Sequence, residues 1–162
     1  RDCLLSRGLG DVYKRQLFAN PDDMENAIRK YCMDTNQPVP ETRGQIVRCI
    51  FESLALRYRQ VLDDLRGLAS QPIETLHVIG GGSRNELLNQ FTANAVGIPV
   101  VAGPSEATAL GNVMMQAMAI GEAADVPGMR KLIHNSIPLK TYQPQNMENW
   151  GQAYIHFKNI VS

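Results

Sequence analysis

The chain has 162 residues, with 16 basic and 16 acidic side chains and a hydrophobic fraction of 44%. This length suits one modest domain, and the hydrophobic fraction argues against a disordered chain. The balanced charge argues against broad nucleic-acid binding, which needs a basic face, and no apolar run approaches the roughly 18 residues that cross a membrane.

The three cysteines, Cys3, Cys32 and Cys49, have neither CxxC spacing nor a histidine placed to complete a zinc site, so we expect no metal centre. Their low density argues against a secreted disulfide scaffold and favours the cytoplasm. A disulfide between Cys32 and Cys49 stays open, because it requires their two helices to pair closely.

Residues 1–16, RDCLLSRGLGDVYKRQ, differ from the rest of the chain. Their apolar residues follow no regular helical or strand spacing, and they lack the apolar core of a signal peptide. Regular helix signals begin at Leu17. We interpret residues 1–16 as non-native adapter or cloning sequence and residues 17–162 as the domain. The alternative is a native loop with a short helix.

Two helices are predicted first. Asn20 as a cap and Pro21 at the first helical position predict a helix that ends near Met33. A long helix is predicted from about Thr42 to Leu68, because apolar residues recur every three or four positions. Its predicted inward stripe comprises Ile46, Cys49, Ile50, Ser53, Leu54, Arg57, Val61, Leu65 and Leu68.

Strands and helices then alternate, which predicts an α/β layer structure. The predicted order is strand 75–79, glycine turn 80–82, helix 83–96, strand 98–102, helix 106–120, helix 127–135, extended segment 137–142 and helix 145–161. The aromatic stripe of the last helix is interpreted as core packing.

The strongest binding signal is the strand-to-helix turn HVIGGGSRNELLNQ, residues 77–90. Glycine lets a ligand approach the backbone, and a helix N-terminus attracts a phosphate. Ser83 is a candidate helix cap, and Asn85 offers a donor and an acceptor to a base edge. The turn matches neither the Rossmann pattern nor the P-loop. The alternative is a turn that needs glycine for packing only.

We predict no catalytic residue and no metal ligand in this chain. His77 lies inside a strand and is interpreted as structural. His134 and His156 have no acidic or nucleophilic partner in the sequence. Glu106 precedes a helix, where a carboxylate stabilises the helix dipole.

The stretch GGGSRNELLNQFTANAVGIPVVAGPSEATALGNVMMQAMAIGE, residues 80–122, resembles the C-terminal nucleotide-binding segment of the FGGY carbohydrate kinases. It has that family's glycine turn, following asparagine, second strand and EATALGN sequence in order and at the family's spacing. The upstream stretches FANPDDMENAIRKYC and TNQPVPETRGQIVRCIFESLALRYRQVLDDL are similar to the rhamnulokinases within this family. The resemblance extends from Leu17 to the C-terminus.

This resemblance implies a fold and a site. The fold is a partial actin-like ATPase (ribonuclease H-like) domain, the later part of FGGY domain II. The backbone of Gly81 lies beside the nucleotide phosphates, Gly80 and Gly82 shape the turn, and Asn85 faces the adenine. The Ala109-Leu110-Gly111 segment lies near the nucleotide pocket.

The resemblance also implies ATP and Mg²⁺ as cofactors and L-rhamnulose as the sugar that is phosphorylated at its C1 hydroxyl. The family's catalytic aspartate and phosphate-binding loop precede the part that matches Leu17. We therefore expect this fragment to be inactive alone and to expose apolar surface. The alternatives are another FGGY sugar kinase, a non-catalytic nucleotide-binding or interaction module, and a structural α/β piece without a ligand.

Overall fold

The computed structural model describes Phe18, residues 20–122 and residues 125–161, so the predicted boundary after residue 16 lies outside the described residues. Strands and helices alternate, as predicted. In chain order the elements are α1 (Met24–Asp34), α2 (Arg43–Leu68), β1 (Leu76–Val78), a 3-10 turn (Gly81–Arg84), α3 (Glu86–Val96), β2 (Val100–Ala102), α4 (Ala107–Ala119), α5 (Val126–Ser136), β3 (Lys140–Tyr142) and α6 (Met147–Val161).

The three strands form one sheet in the order β1-β2-β3. β1 pairs in parallel with β2, and Leu76 lies opposite Val100. β3 pairs antiparallel with β2, and Tyr142 lies opposite Val100. The first strand is shorter than predicted: Leu76–Val78 pair with the three residues of β2, and Thr75 and Ile79 lie beyond the two ends of this ladder.

Local side-chain hydrogen bonds decide where the first two helices begin. Thr42 caps α2 in a capping box: its hydroxyl accepts from the Gln45 backbone N–H, and the Gln45 side chain accepts from the Thr42 N–H. The predicted cap at Asn20 is wrong. Asp23 caps α1, because its carboxylate accepts from both the backbone and the side-chain nitrogen of Asn26.

The long helix α2 contributes to all three clusters of the core. The sheet cluster comprises Leu62, Ala93, Val96, Val100, Ala102 and Tyr142. The N-terminal cluster comprises Phe18, Ile28, Tyr31, Cys32 and Ile46. The third comprises Ala55, Leu56, Ala95 and Tyr154. α2 is therefore the element that joins the N-terminal helices to the sheet.

The predicted inward stripe of α2 is correct at Ile46 and wrong towards the C-terminus of the helix. Val61, Leu65 and Leu68 are exposed, whereas Leu62 is buried. The face that packs is set by α3, whose Ala93 and Val96 meet Leu62 in the sheet cluster. The buried face of α2 near its C-terminus is thus decided by where α3 packs and not by the spacing of apolar residues in α2 itself.

The aromatic side chains of α6 pack in the core, as predicted. The rings of Trp150 and Phe91 lie 5.3 Å apart. Tyr154 is buried, and the Arg59 guanidinium lies 4.3 Å from its ring centre. These contacts attach α6 to α2 and α3. No helix among the described residues is long and apolar enough to cross a membrane.

Candidate functional site

The glycine turn lies at the carboxyl ends of the two parallel strands. It follows β1 directly and carries the chain through the 3-10 turn to α3. In open α/β sheets, ligands bind outside the carboxyl ends of parallel strands. The turn that the sequence singled out therefore occupies the expected edge of the sheet.

A buried polar side chain holds the turn from inside the fold. Asn89, which is 1% exposed, donates from its amide to the Ser83 carbonyl at 2.9 Å. The Ser83 hydroxyl donates to the Gly80 carbonyl at 2.7 Å. The Gly80 N–H donates to the Pro104 carbonyl at 3.0 Å, which links the turn to the loop after β2. Asn89 was not predicted as a site residue, because only its burial distinguishes it from other helix residues.

Asn85 caps α3, and the predicted cap at Ser83 is wrong. The Asn85 side-chain carbonyl accepts from the Leu88 N–H at 3.1 Å. The 3-10 turn takes up residues 81–84, so α3 begins only at Glu86. The described residues provide no hydrogen-bond partner for the Asn85 side-chain nitrogen, which can therefore donate to a ligand.

The three glycines of the turn have different reasons to be glycine. Gly80 has a φ of 76°, which favours glycine. A Cβ at Gly82 would lie 3.9 Å from the Val78 side chain, an ordinary contact. A Cβ at Gly81 would meet nothing within 4 Å among the described residues, and its φ is not positive. Neither packing within the described chain nor a positive φ requires glycine at Gly81, and the packing-only alternative stays open.

An ion pair joins the glycine turn to the start of α4. The Arg84 guanidinium lies 2.8 Å from the Glu106 carboxylate and donates to the Ser105 hydroxyl at 3.2 Å. Glu106 occupies the N-cap position of α4, but its side chain makes no capping hydrogen bond there. Both charged side chains are exposed, so the pair contributes little to stability. The pair is formally neutral, so it adds no net charge beside the turn.

The remaining candidates lie apart from one another. His77 is exposed on β1, and His156 lines a cavity of about 200 Å³ between α1, α2 and α6. The His134 side chain lies outside the described residues. A Cβ at Gly111 would meet nothing within 4 Å in the described chain, and the predicted role of residues 109–111 stays a prediction. Within ranges 20–122 and 125–161, no cluster of His, Cys, Asp or Glu could hold a metal ion.

Cys32 and Cys49 meet where α1 packs on α2, and both are free thiols in this structure. Burial raises the pKa of Cys32. Burial, with the neighbouring Cys32, raises the pKa of Cys49 to about 12. Their disulfide stays a prediction. The pair lies in the N-terminal cluster, away from the glycine turn.

The chain matches the model of the C-terminal domain of the FGGY family of carbohydrate kinases over residues 12–120. It is 78% identical over 144 residues to a rhamnulokinase of Bacteroides thetaiotaomicron, covering 89% of this chain and 30% of that protein. It is 48% identical over 143 residues to a rhamnulokinase of Pectobacterium carotovorum, covering 88% of this chain and 29% of that protein.

The structure is similar to that of a xylulose kinase from Rhodospirillum rubrum, with a TM-score of 0.57 and 20% identity over 76% of this chain and 25% of that chain. This likeness concerns the fold, and it agrees with the expected partial actin-like, ribonuclease H-like domain. The chain spans about 30% of the length of the curated relatives that it matches. It belongs to the FGGY family of carbohydrate kinases and contains C-terminal domain sequence of that family.

Proposed function

We propose that this chain is the nucleotide-binding C-terminal part of a rhamnulokinase, which transfers the γ-phosphate of ATP to the C1 hydroxyl of L-rhamnulose. Two relatives that match most of the chain bear the name rhamnulokinase. The observation that carries the site is the position of the glycine turn at the carboxyl ends of the parallel strands β1 and β2, where a Cβ at Gly81 would meet nothing within 4 Å of the described residues. A ligand can approach the backbone closely at such a glycine.

The residues of the turn fit a nucleotide. The Gly81 backbone is open to a phosphate, and the free N–H groups at the start of α3 favour a negative charge. Gly80 and Gly82 hold the turn in shape. The Asn85 amide nitrogen would donate to an acceptor on the adenine, while its carbonyl oxygen continues to cap α3.

Magnesium and the catalytic base come from outside this chain in the proposed enzyme. Mg²⁺ is usually held by nucleotide phosphates and one or two carboxylates. The described residues provide no metal-binding cluster, and they contain no group that we assign as the base. Their role is to bind and orient ATP, which supplies the phosphoryl group. We propose that this ATP-dependent enzyme acts in the cytoplasm, which fits the low cysteine density of the chain.

The leading alternative is another FGGY sugar kinase. The fold is shared with a xylulose kinase, so the architecture alone does not select the sugar. Phosphorylation of L-rhamnulose by the complete kinase, measured against D-xylulose, tests the choice. Faster turnover of D-xylulose would contradict the proposed substrate.

Gly81→Val in the complete kinase tests the nucleotide site. Its side chain enters space that no described residue occupies, so folding should be preserved and bound phosphate should be displaced. We expect the KM for ATP to rise about 10–100-fold, as for an overpacked contact of about 1–3 kcal/mol, with an unchanged KM for the sugar.

The matched control is Gly67→Val, which adds the same side chain on α2, where a Cβ would also meet nothing within 4 Å of the described residues. It should leave both KM values unchanged. Equal KM values for ATP in Gly81→Val and the unsubstituted kinase would show that the nucleotide does not approach this turn.

A further inference from the structure

Asn89 is a buried polar side chain whose hydrogen bond leaves its own helix. It is 1% exposed and is among the largest fully buried side chains of the described chain. A buried amide is costly unless it is hydrogen-bonded. Thr92, which is similarly buried on α3, donates its hydroxyl to the Leu88 carbonyl of the same helix at 2.7 Å. Asn89 instead donates to the Ser83 carbonyl, so its hydrogen bond anchors the turn and not the helix.

The residues of the 3-10 turn Gly81–Arg84 are themselves not buried. Apolar packing therefore contributes little to the position of the turn. Two of its four residues are glycines, whose backbone is freer than that of any other residue. The Arg84–Glu106 ion pair is exposed and weak. The position of the turn thus depends mainly on its hydrogen bonds, and the one from Asn89 comes from the buried side.

The hydrogen bonds on both sides of Gly81 form a chain that begins at Asn89. Ser83 accepts from Asn89 through its carbonyl, and it donates to the Gly80 carbonyl through its hydroxyl at 2.7 Å and its backbone N–H at 3.0 Å. Gly80 has a φ of 76° and donates to the Pro104 carbonyl. Gly81 therefore lies between two anchored residues, and the Asn89 amide anchors one of them.

We propose that Asn89 is a positioning residue for the nucleotide: by holding the Ser83 carbonyl, it keeps the Gly81 backbone in the conformation that receives a phosphate. Asn89 acts through Ser83 and, because it is buried behind the turn, does not touch the nucleotide. A turn that is ordered before binding loses less conformational freedom when the ligand arrives, which favours affinity. The inference rests on the nucleotide site proposed above and adds the residue that preorganises it.

The alternative role of Asn89 is purely structural. A substitution that removes a buried hydrogen bond lowers the free energy of unfolding, whether or not the turn binds a ligand. A loss of stability therefore does not distinguish the two roles. The distinguishing measurement is the dissociation constant for ATP under conditions that make or break the hydrogen bond between residue 89 and Ser83.

Asn89→Asp in the complete kinase provides such conditions. The carboxyl group has nearly the shape of the amide, and its protonated form donates one hydrogen bond, as the amide does to Ser83. Its ionised form only accepts, so it would face the Ser83 carbonyl without a proton between them. Burial disfavours the charge and raises the pKa of such a carboxyl from about 4 by as much as about 3–5 units. The hydrogen bond is therefore present at low pH and lost as the pH rises through this raised pKa.

Calorimetry measures the dissociation constant for ATP between about pH 5.5 and about pH 9, in the variant and in the unsubstituted kinase. We expect the ratio of the two constants to be within about threefold at the lower limit and to reach at least about tenfold at the upper limit, as when a buried group loses its hydrogen-bond partner. Groups that titrate in both proteins, such as His77 and the nucleotide itself, cancel in this ratio. The dissociation constant for the sugar should not follow this pattern.

The matched control is Thr92→Val. Thr92 is 0% exposed on the same helix, and its substitution removes a buried hydrogen bond that does not reach the turn. It should lower the free energy of unfolding and change the dissociation constant for ATP by no more than about twofold at every pH. Asn89→Ala, which buries no charge, replaces Asn89→Asp if the latter unfolds at high pH, and it should weaken ATP binding about tenfold at every pH.

A pH-independent ratio for Asn89→Asp, or equal changes in Asn89→Asp and Thr92→Val, would overturn the proposal. Failure of both Asn89 variants to fold would also overturn it, because Asn89 would then be structural. Gly81→Val separates this inference from the nucleotide site: if it leaves ATP binding unchanged, the site itself is wrong. Weaker ATP binding in Gly81→Val, together with a pH-independent ratio in Asn89→Asp, would overturn only the role of Asn89.

Discussion

Gly81 and Asn85 show that single residues in the turn have separable roles. Gly81 leaves its backbone open where a Cβ would meet nothing within the described chain. The two ends of the Asn85 side-chain amide differ in role: the carbonyl caps α3, and the nitrogen makes no hydrogen bond with the described residues. The turn is otherwise held by Asn89, which is buried. Its shape therefore does not depend on the groups that remain available to a ligand.

Cys49 is the residue whose chemistry burial changes most. With its pKa raised to about 12, the thiolate fraction at pH 8 is only about one in ten thousand. We expect alkylation of Cys49 by iodoacetamide to accelerate about tenfold per pH unit from pH 8 to 11 in the folded chain. Quantitative mass spectrometry measures this rate. A plateau near pH 9, as in the urea-unfolded chain, would contradict the expectation.

Because the pKa of Cys49 is raised in the folded state, its protonated thiol makes its full contribution to the free energy of unfolding below about pH 9. This contribution is lost as the pH rises towards about 12.

Cys32 and Cys49 are also the two residues for which a disulfide is proposed. In a Cys3→Ser background, oxidised glutathione should join Cys32 to Cys49, and Cys32→Ser should prevent this bond. Intermolecular products alone would count against the pairing.

At the scale of elements, helix starts are decided by short-range hydrogen bonds. Thr42, Asp23, Asn85 and Asp125 cap four helices through their side chains. The sequence alone predicted the start of α2, but it misplaced the caps of α1 and α3. In α1, several residues near the start were competing candidates, and in α3 an extra 3-10 turn moved the start beyond Ser83.

Asn85 variants separate capping from binding. Asn85→Ala should lower the free energy of unfolding by about 1 kcal/mol, whereas Asn85→Ser keeps a capping oxygen and should change it by much less. In the complete kinase both should raise the KM for ATP, because both remove the amide nitrogen. Thr42→Ala is the control: it loses a cap of comparable strength on α2 and should leave that KM unchanged. Urea unfolding and steady-state kinetics measure the two effects.

At the scale of the whole molecule, the chain is expected to form one wall of a catalytic cleft and to be inactive by itself. Phosphoryl transfer needs positioned substrate, metal and base on all sides of the reacting phosphate. We expect the purified 162-residue chain to show no rhamnulose-dependent ADP formation and only weak ATP binding. A coupled ADP assay and calorimetry check both, with the complete kinase as the positive control. Sugar-dependent turnover by the isolated chain would refute this prediction.

Most of the fold could be predicted because its signals are local. The apolar period marks α2, Gly97 ends α3, and the alternation of strands and helices indicates the layers. The signal for the glycine turn is also local, since three consecutive glycines lie between a predicted strand and a predicted helix. The site features that were missed are Asn89, whose role depends on its burial, and the Arg84–Glu106 pair, whose partners are 22 residues apart.

The sequence by itself determined the family, the order of the elements and the place of the turn, because each depends on neighbouring residues or on a continuous motif. Only the tertiary structure decided which side of α2 is buried, because α3 selects Leu62 and leaves Leu65 exposed. It also decided that α4 remains uncovered, because burial of an apolar helix depends on which surfaces the folded chain brings to it.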